Sequence, residues 1–403
     1  MSWERDDIAS VNIANPDRYY VVNKEGTFKN YSLHCGGIVI FEEKINKDII
    51  LKTKTKNQLK YDKRDISKNG LLKLDILSNR GLAQLLDINN TIKLEDYKFD
   101  ENITKLFSSG DNIGLTFAES VTMRKAFKLV NPKTINDLAK CLAVIRPAVS
   151  QDKYQEDAII FDDDAISFIK DMIQCCEEDA DRYRKGFSNC DKDIIKEFVE
   201  VSKKYDINDF ELKLKKLTNL RKYSFCKSHS ISYAQLVLAL AYQKLYHPKL
   251  FWVSTLNHCN SSYKKWVHFN EAKCSGWKIN LGTRPWKIQG NSLVPTTTYH
   301  NKKCSNDPLE QLKVWGYWTS TEFIPGLYYN NVDGTVSFKG LIACHRTIKR
   351  DNKLITMITI GYDNKKYLDI VVYGYIKIGR KLFIEGTGKL NNDIVTTDKV
   401  NVS

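Results

Sequence analysis

A cation, an imidazole and several hydroxyl groups follow one another in a short polar segment near the middle of the chain. Residues 225–230 read Phe-Cys-Lys-Ser-His-Ser, which places Lys227, Ser228 and His229 side by side. Apolar residues then recur at helical spacing as far as the His247-Pro248 pair, where the proline disfavours a continued helix. A helix that starts at such a segment offers backbone N–H groups, a positive dipole end and a lysine to an anion such as phosphate.

The same segment is also typical of an ordinary buried helix with a polar start. Ser230 or Ser232 would then cap the helix, because a serine hydroxyl accepts a hydrogen bond from a free backbone N–H of the first turn. Under this alternative the lysine and the imidazole would simply be solvated. The residues of the segment by themselves leave both interpretations open.

A lysine and an aspartate alternate with apolar residues in a second segment. Residues 70–77 read Gly-Leu-Leu-Lys-Leu-Asp-Ile-Leu. Side chains two positions apart in a strand lie on the same face, so this spacing predicts a strand with Lys73 and Asp75 on one face and apolar residues on the other. The strand would either be half-buried with its polar face in solvent, or it would point both charged groups into a cleft.

Composition and charge favour a globular protein with an anionic partner. The 403 residues are 42% hydrophobic, which predicts two or three domains with real cores. Lys and Arg (62) exceed Asp and Glu (48), and the net charge of +14 favours nucleic acid as a partner, although a lysine-rich proteome would explain the same excess. The ten cysteines form no Cys-x-x-Cys pair, which indicates reduced thiols in a cytoplasmic protein. We find no signal peptide and no apolar run of about 18 residues, so we expect no membrane span.

The elements around the two polar segments change in character along the chain. A β-branched run after paired glycines, residues 33–40, predicts a strand, whereas residues 103–148 predict two helices and residues 150–220 predict charged helices. Residues 334–389 contain four short strand patterns separated by turns, which predict a small barrel. The expected fold class is therefore α+β multidomain, with a partial mixed β region, a mainly α-helical region and a C-terminal β-barrel.

Several of these segments resemble, in the same order, motifs of the C-family DNA polymerases, the alpha subunits of bacterial DNA polymerase III. Residues 225–233 are similar to the family's Phe-Asn-Lys-Ser-His-Ser-x-x-Tyr, with Cys226 in place of the asparagine. Residues 73–80 resemble its Lys-Phe-Asp-Phe-Leu-Gly-Leu-Arg, and residues 34–40 resemble its His-Ala-Gly-Gly-Val-Val-Ile. Residues 107–124 and 143–148 are similar to two further motifs, which contain Arg124 and Arg146.

The resemblance implies roles for the charged residues. In this family the aspartate of the Lys-Phe-Asp motif is one of three carboxylates that hold two Mg²⁺ ions for template-directed nucleotidyl transfer. Asp75 would therefore bind metal, and Lys73 would approach the phosphates of the incoming nucleotide. The residues that would line the rest of the nucleotide site are Arg146, Lys227, Ser228 and His229.

The resemblance also implies an incomplete metal site. The family's other two catalytic aspartates lie in a Pro-Asp-x-Asp-x-Asp-Phe strand before the glycine motif, and no such strand precedes His34 here. The acidic run at residues 162–164 lies far downstream, and we interpret it as a solvated helix start. A partner polypeptide that carries the N-terminal palm would complete the site, as in a split enzyme of a phage or another mobile element. The alternatives are a catalytically inactive nucleic-acid-binding remnant and an interaction subunit of a replisome.

The resemblance divides the chain into a partial palm (1–95), fingers (96–257), a connector (258–332), an OB-fold domain (333–392) and a tail (393–403). The OB-fold would bind DNA through basic residues at its turns, although a solvated barrel rim explains them equally well. These residues are Arg346, Lys349, Arg350, Lys365 and Lys366. The expected partners are primer–template DNA, a deoxynucleoside triphosphate and the partner polypeptide. A sliding clamp is a further candidate, but its binding motif is not found.

Overall fold

The computed structural model describes residues 9–14, 33–41, 45–52, 57–76, 78–91, 93–144, 159–218, 226–258, 261–297, 305–323, 325–350, 352–391 and 393–403. The chain divides into two units, residues 1–79 and residues 80–403. Both helices and mixed sheets are present, so the predicted α+β multidomain class is confirmed. None of the described helices combines the length and the apolar character needed to cross a membrane.

The first unit contains a five-stranded mixed sheet and one short helix. Its elements are β1 (Ala9–Ala14), β2 (Leu33–Phe41), β3 (Ile50–Lys52), β4 (Asn57–Leu59), α1 (Lys63–Lys68) and β5 (Leu72–Asp75). The strand order is β3-β4-β1-β2-β5, with β1 and β4 parallel and the other pairs antiparallel. The strands predicted at residues 33–40 and around Lys73 are therefore confirmed. A small core of Val39, Phe41, Leu59 and Ile66 holds the sheet against α1.

The second unit begins with a helical region that surrounds one long helix. The helices are α2 (Arg80–Ile88), α3 (Glu101–Ser109), α4 (Val121–Val130), α5 (Ile135–Val144), α6 (Asp162–Ile173), α7 (Glu177–Asn189), α8 (Lys192–Ser202), α9 (Phe210–Thr218), α10 (Lys227–Tyr246), α11 (Pro248–His258) and α12 (Lys265–Cys274). Helix α10 packs against α2, α3, α5 and α11. Residues 236–241 of α10 are all buried, which is typical of a helix in the centre of a domain.

The predicted connector shares a hydrophobic core with the helices. It forms a three-stranded sheet, β6 (Lys278–Ile279), β7 (Thr283–Gln289) and β8 (Ser292–Thr297), followed by α13 (Pro308–Trp315). Trp252, Trp266 and Trp318 are almost fully buried in the core that also contains the apolar face of α10. Helices α6 to α9 have a separate core of their own. The tryptophan side chains of the connector therefore pack into the core of the helical region.

The C-terminal region is an antiparallel sheet with one parallel pair. Its strands are β9 (Leu327–Asn330), β10 (Thr335–Arg350), β11 (Lys353–Asp363), β12 (Lys366–Tyr373), β13 (Phe383–Asn391), β14 (Ile394–Thr397) and β15 (Val400–Val402). The pairings run from β10 through β11, β12, β14 and β13 back to the first half of β10. Strands β9 and β15 extend the sheet beyond this ring, so it is not a simple closed barrel. The first three predicted strand segments lie within β10, β11 and β12, whereas the fourth, predicted from Lys381 to Glu385, enters β13 only at Phe383.

Candidate functional site

The polar segment forms the exposed N-terminus of α10. Cys226 occupies the cap position in an extended conformation, and its carbonyl accepts the first helical hydrogen bond from the N–H of Ser230. The Ser230 hydroxyl donates to the carbonyl of Ala139 on α5 at 2.7 Å, and the Ser232 hydroxyl donates to the carbonyl of Ser228 at 2.9 Å. Neither serine caps the helix, so the alternative in which one of them does is wrong. Ser228 and His229 are exposed, whereas Lys227 is partly buried. The helix is thus anchored by its buried serine and presents its first turn to solvent.

A carboxylate already faces the backbone at this helix start. The N–H of Lys227 donates to Asp163 Oδ2 at 3.4 Å. Asp163 belongs to the acidic run that forms the first turn of α6, where Asp162 pairs with Arg184 at 2.9 Å. The acidic run is therefore a helix start, as predicted from the sequence. Its contact with Lys227 shows that the start of α10 accepts an anionic group.

Cys226, at the substituted position of the motif, has a hydrogen-bonded thiol. Its sulfur lies 3.1 Å from the hydroxyl oxygen of Ser228. This hydrogen bond, together with the backbone N–H of His229, lowers the pKa of the Cys226 thiol below its ordinary value.

A buried lysine fixes the loop between α3 and α4. Lys244 of α10 donates to Asp111 Oδ1 at 2.6 Å and to the carbonyls of Asp111 and Ile113 at 2.9 and 2.8 Å. Burial raises the pKa of Asp111, but the charge of Lys244 lowers it, and the net pKa lies below its ordinary value. No pattern in the sequence predicted this role for Lys244.

A second buried pair holds the other end of the same loop. His268 Nε2 lies 2.8 Å from Glu119 Oε2, which also accepts a hydrogen bond from the N–H of Gly114 at 3.1 Å. Burial raises the pKa of Glu119, but His268 and the hydrogen bonds from Ser261 and Gly114 together lower it, and the net pKa is below its ordinary value. The sequence had matched Glu119 to a family motif, but nothing in the spacing indicated His268 as its partner.

Arg124 connects the helical region to the C-terminal sheet. Its guanidinium donates to the hydroxyl of Tyr263 at 2.8 Å and forms an ion pair with Asp369 of β12 at 3.4 Å. The side chain of Arg124 is only 10% exposed. This arginine, which the sequence matched to a family motif, therefore joins helix to sheet.

In the first unit, Lys73 and Asp75 form an ion pair. Their side chains lie on the same face of β5, as predicted, with Lys73 Nζ 2.9 Å from Asp75 Oδ2. The expectation of a half-buried strand is wrong, because Leu72 and Ile76 are 58% and 64% exposed. The reason is that β5 is the last strand in the order of its sheet, where fewer neighbours cover it.

Asp75 fits a magnesium ion as one member of a larger set. A carboxylate is a preferred ligand of Mg²⁺, and the side chain of Asp75 is 45% exposed and accessible. Across the described ranges, no group of three or more His, Cys, Asp and Glu side chains is placed to hold a metal ion. Asp75 would exchange its contact with Lys73 for the ion, and further carboxylates would have to complete the coordination.

The remaining predicted site residues either lie in two separate places in the structure or lie outside the described residues. Arg146 lies outside the described residues, and so does the side chain of Arg350. Arg346 and Lys349 lie in the second half of β10, opposite Met357 and Leu354 of β11. Lys365 and Lys366 lie beyond the other end of β11, roughly 30 Å away at about 3.3 Å per residue. The basic residues of the sheet are therefore two separate groups.

The second basic group is partly neutralised by carboxylates. Lys366 pairs with Asp363 at 2.8 Å, and Lys365 Nζ lies 3.8 Å from Glu271 Oε2. Burial raises the pKa of Glu271 above its ordinary value and favours its neutral form, so Glu271 neutralises Lys365 less than Asp363 neutralises Lys366. The Arg346 and Lys349 group is therefore the better candidate for a contact with phosphates.

Comparison with known proteins identifies two regions of the chain. Residues 12–78 match the family described as the bacterial DNA polymerase III alpha NTPase domain, and residues 80–159 match the bacterial DNA polymerase III alpha subunit finger domain. The boundary between the two matches coincides with the boundary between the two structural units. The chain is thus similar to bacterial DNA polymerase III alpha subunits over these two regions. It carries a region of the bacterial DNA polymerase III alpha subunits, which confirms the predicted C-family relationship.

Individual relatives support the same relationship at low identity. DNA polymerase III subunit alpha of Thermotoga maritima is 24% identical over 298 residues, which cover 67% of this chain and 34% of the relative. The corresponding subunit of Mycoplasma genitalium is 26% identical over 277 residues, covering 58% and 32%. An error-prone DNA polymerase of Saccharophagus degradans is 24% identical over 275 residues, covering 57% and 27%. The chain spans about a third of the length of these curated relatives.

Proposed function

We propose that this chain supplies the fingers, one catalytic carboxylate and a DNA-binding domain to a template-directed DNA polymerase. The observation that carries the proposal is the exposed first turn of α10, where Lys227, Ser228 and His229 surround a helix N-terminus that already contacts a carboxylate. The two family matches support the polymerase class. Expected substrates are primer–template DNA and deoxynucleoside triphosphates.

The first turn of α10 would hold the triphosphate of the incoming nucleotide. Phosphate oxygens accept hydrogen bonds from the ammonium group of Lys227, the hydroxyl of Ser228, the imidazole of His229 and the free N–H groups of the turn. The carboxylate of Asp163 would be displaced by the phosphates. Arg146 would add a further cation to the site.

Asp75 would supply one carboxylate to the metal site. When bound, two Mg²⁺ ions activate the primer 3′-hydroxyl and stabilise the pyrophosphate leaving group. Lys73, once released from Asp75, would be able to contact a phosphate group, as the family resemblance implies. The other two carboxylates would come from a Pro-Asp-x-Asp-x-Asp-Phe strand, either in a longer form of this polypeptide or in a separate partner chain.

The C-terminal sheet would contact single-stranded template as an OB-type domain. The ring of strand pairings, with β12 and β14 parallel, supports this assignment. Arg346 and Lys349 lie near the hairpin between β10 and β11, and the exposed Tyr373 pairs with Ile355 on the same part of β11. A cationic edge with an exposed aromatic ring is typical of single-strand binding surfaces.

We expect the substitutions Lys227→Ala and His229→Ala to weaken binding of a deoxynucleoside triphosphate about tenfold to a hundredfold each. The reason is that a charge-assisted hydrogen bond contributes roughly 1.5–3 kcal/mol. The measurement is a titration of the full chain with a fluorescent deoxynucleoside triphosphate. Lys313→Ala, which removes an exposed lysine on α13, is the matched control and should bind normally. If the segment only starts a helix, the thermal midpoint will fall and nucleotide affinity will not.

We also expect salt-dependent binding of a single-stranded oligonucleotide. Each phosphate contact contributes about −0.7 to the slope of log K against log salt, because neutralised phosphates release counterions. The double substitution Arg346→Ala with Lys349→Ala should make that slope less negative by about 1.4. Lys365→Ala with Lys366→Ala is the comparison, and it should change the slope less because both lysines already have carboxylate neighbours. Absence of binding at low salt would contradict the DNA-binding role.

A further inference from the structure

Phe117 has a backbone conformation that a phenylalanine rarely adopts. Its φ of 73° lies in the left-handed region, which is strained for a bulky residue. The residues on both sides are fixed by hydrogen bonds. The Thr116 hydroxyl donates to Gln84 Oε1 at 2.7 Å, and the Asn112 side chain donates to the carbonyl of Ala118 at 2.8 Å. The surrounding structure therefore imposes the strained conformation on Phe117.

The strained backbone directs the Phe117 ring to the surface. Thr116 and Ala118 are buried, whereas Phe117 is 39% exposed. The neighbouring helix α2 has a glycine, Gly81, where it contacts the Phe117 ring. A Cβ atom at this position would lie only 3.0 Å from the ring atom Cε2 of Phe117. Removal of this large apolar group from solvent would be favourable, yet the local structure holds it half-exposed. Strain of this kind is commonly retained where a side chain has a function.

The Phe117 ring begins a row of three aromatic rings that leads to the first turn of α10. Its centroid lies 4.8 Å from that of Tyr233, with the ring planes at 61°. Tyr233 lies one helical turn after His229, and their centroids are 5.2 Å apart with the planes at 77°. The row therefore connects an exposed apolar ring to the exposed imidazole beside Lys227.

We propose that Phe117 and Tyr233 form a stacking surface for the base of the nucleotide whose phosphates the first turn of α10 holds. A nucleotide has an anionic end and a flat aromatic end, and the row offers a cationic turn at one end and an apolar ring at the other. Every base has an aromatic face, so this contact would accept purines and pyrimidines alike. The inference rests on the proposed nucleotide site and adds the element that holds the base.

The test uses 2-aminopurine deoxyribonucleoside triphosphate, whose fluorescence falls when the base stacks on an aromatic ring, and inorganic tripolyphosphate, which has no base. In the full chain, Phe117→Leu keeps an apolar side chain and removes the ring. We expect it to abolish the quenching and to weaken nucleotide binding about tenfold to a hundredfold. Tripolyphosphate should bind equally well to the wild-type and variant chains. Phe117→Tyr should keep the quenching, and Tyr375→Leu, at an exposed tyrosine of the C-terminal region, should change neither value.

A second variant separates stacking from folding. Phe117→Gly removes the ring and relieves the strain, so we expect it to lose the quenching while the chain stays folded. If tripolyphosphate binds through Lys227 but Phe117→Leu and Phe117→Gly bind and quench the nucleotide like the wild type, the stacking proposal is wrong and the nucleotide site stands. If tripolyphosphate does not bind, or binds regardless of Lys227→Ala, the nucleotide site is wrong and the stacking proposal fails with it.

Discussion

Asp75→Asn is expected to abolish Mg²⁺-dependent primer extension by the assembled polymerase. A metal ligand supplies several kcal/mol of transition-state stabilisation, so loss of about 4 kcal/mol would slow extension about 1000-fold. The asparagine keeps the shape of the side chain and removes its charge, so assembly should be unaffected. The measurement is extension of a labelled primer after this chain is mixed with a polypeptide that carries the Pro-Asp-x-Asp-x-Asp-Phe strand. Asp48→Asn, at an exposed aspartate of the same unit, is the matched control and should extend normally.

Primer extension by the isolated 403-residue polypeptide is a second test of the same metal site. One carboxylate cannot position two Mg²⁺ ions about 3.5–4 Å apart, so this polypeptide alone should not extend a primer at any Mg²⁺ concentration. Robust extension without a partner would contradict the incomplete metal site. Failure with every complementing polypeptide would favour the non-catalytic alternatives, a nucleic-acid-binding remnant or a replisome interaction subunit.

Lys244→Ala is expected to destabilise the second unit by about 1–3 kcal/mol, because it leaves two carbonyls and the partly exposed Asp111 carboxylate without their donor. Its side chain is 4% exposed and donates to three oxygen atoms of the loop between α3 and α4. The free energy of unfolding can be measured in urea by tryptophan fluorescence, since every tryptophan except Trp3 lies in the second unit. Lys244→Met should also destabilise the second unit. Because methionine keeps an apolar side chain near Trp252 but carries no charge, this variant separates the effect of the lost charge from that of the lost packing.

An exposed ion pair serves as the comparison for Lys244. Lys185 pairs with Asp181 but is 62% exposed, and Lys185→Ala should cost no more than about 1 kcal/mol. The pairing that lowers the pKa of Asp111 contributes stability above its ordinary pKa of 3.8, and this contribution is lost as the pH falls through the lower folded value. The difference between wild type and Lys244→Met should therefore shrink in acid. Equal effects of the Lys244 and Lys185 substitutions would contradict a structural role for the buried lysine.

Local sequence patterns predicted several helices and strands and the class of protein. The apolar spacing of α10 and the alternation around Lys73 and Asp75 are properties of neighbouring residues, because helices and strands repeat over two to four positions. The acidic first turn of α6 and the strands β10 to β13 were predicted for the same reason. The ordered motifs around Asp75 and Lys227 also sufficed for the C-family relationship.

The predictions that failed concern the surroundings of single residues. Serine is a common helix cap, but the hydroxyl of Ser230 donates its hydrogen bond to the carbonyl of Ala139 instead. Leu72 and Ile76 have the spacing of a buried face, but the position of β5 in the sheet leaves them exposed. The basic residues predicted at the turns of the C-terminal sheet lie in two groups at opposite ends of β11, and their binding to DNA stays a prediction.

The sequence alone determined which segments fold as helices and strands, which residues carry charge into the candidate sites, and which family the chain resembles. Only the tertiary structure decided which charges meet. Lys244 and Asp111 are 133 positions apart, Glu119 and His268 are 149 apart, and Arg124 and Asp369 are 245 apart. The strained backbone of Phe117 likewise depends on the hydrogen bond that Thr116 donates to Gln84 and on the one that Ala118 accepts from Asn112. Such contacts follow from the packing of whole elements in three dimensions, and no local spacing records that packing.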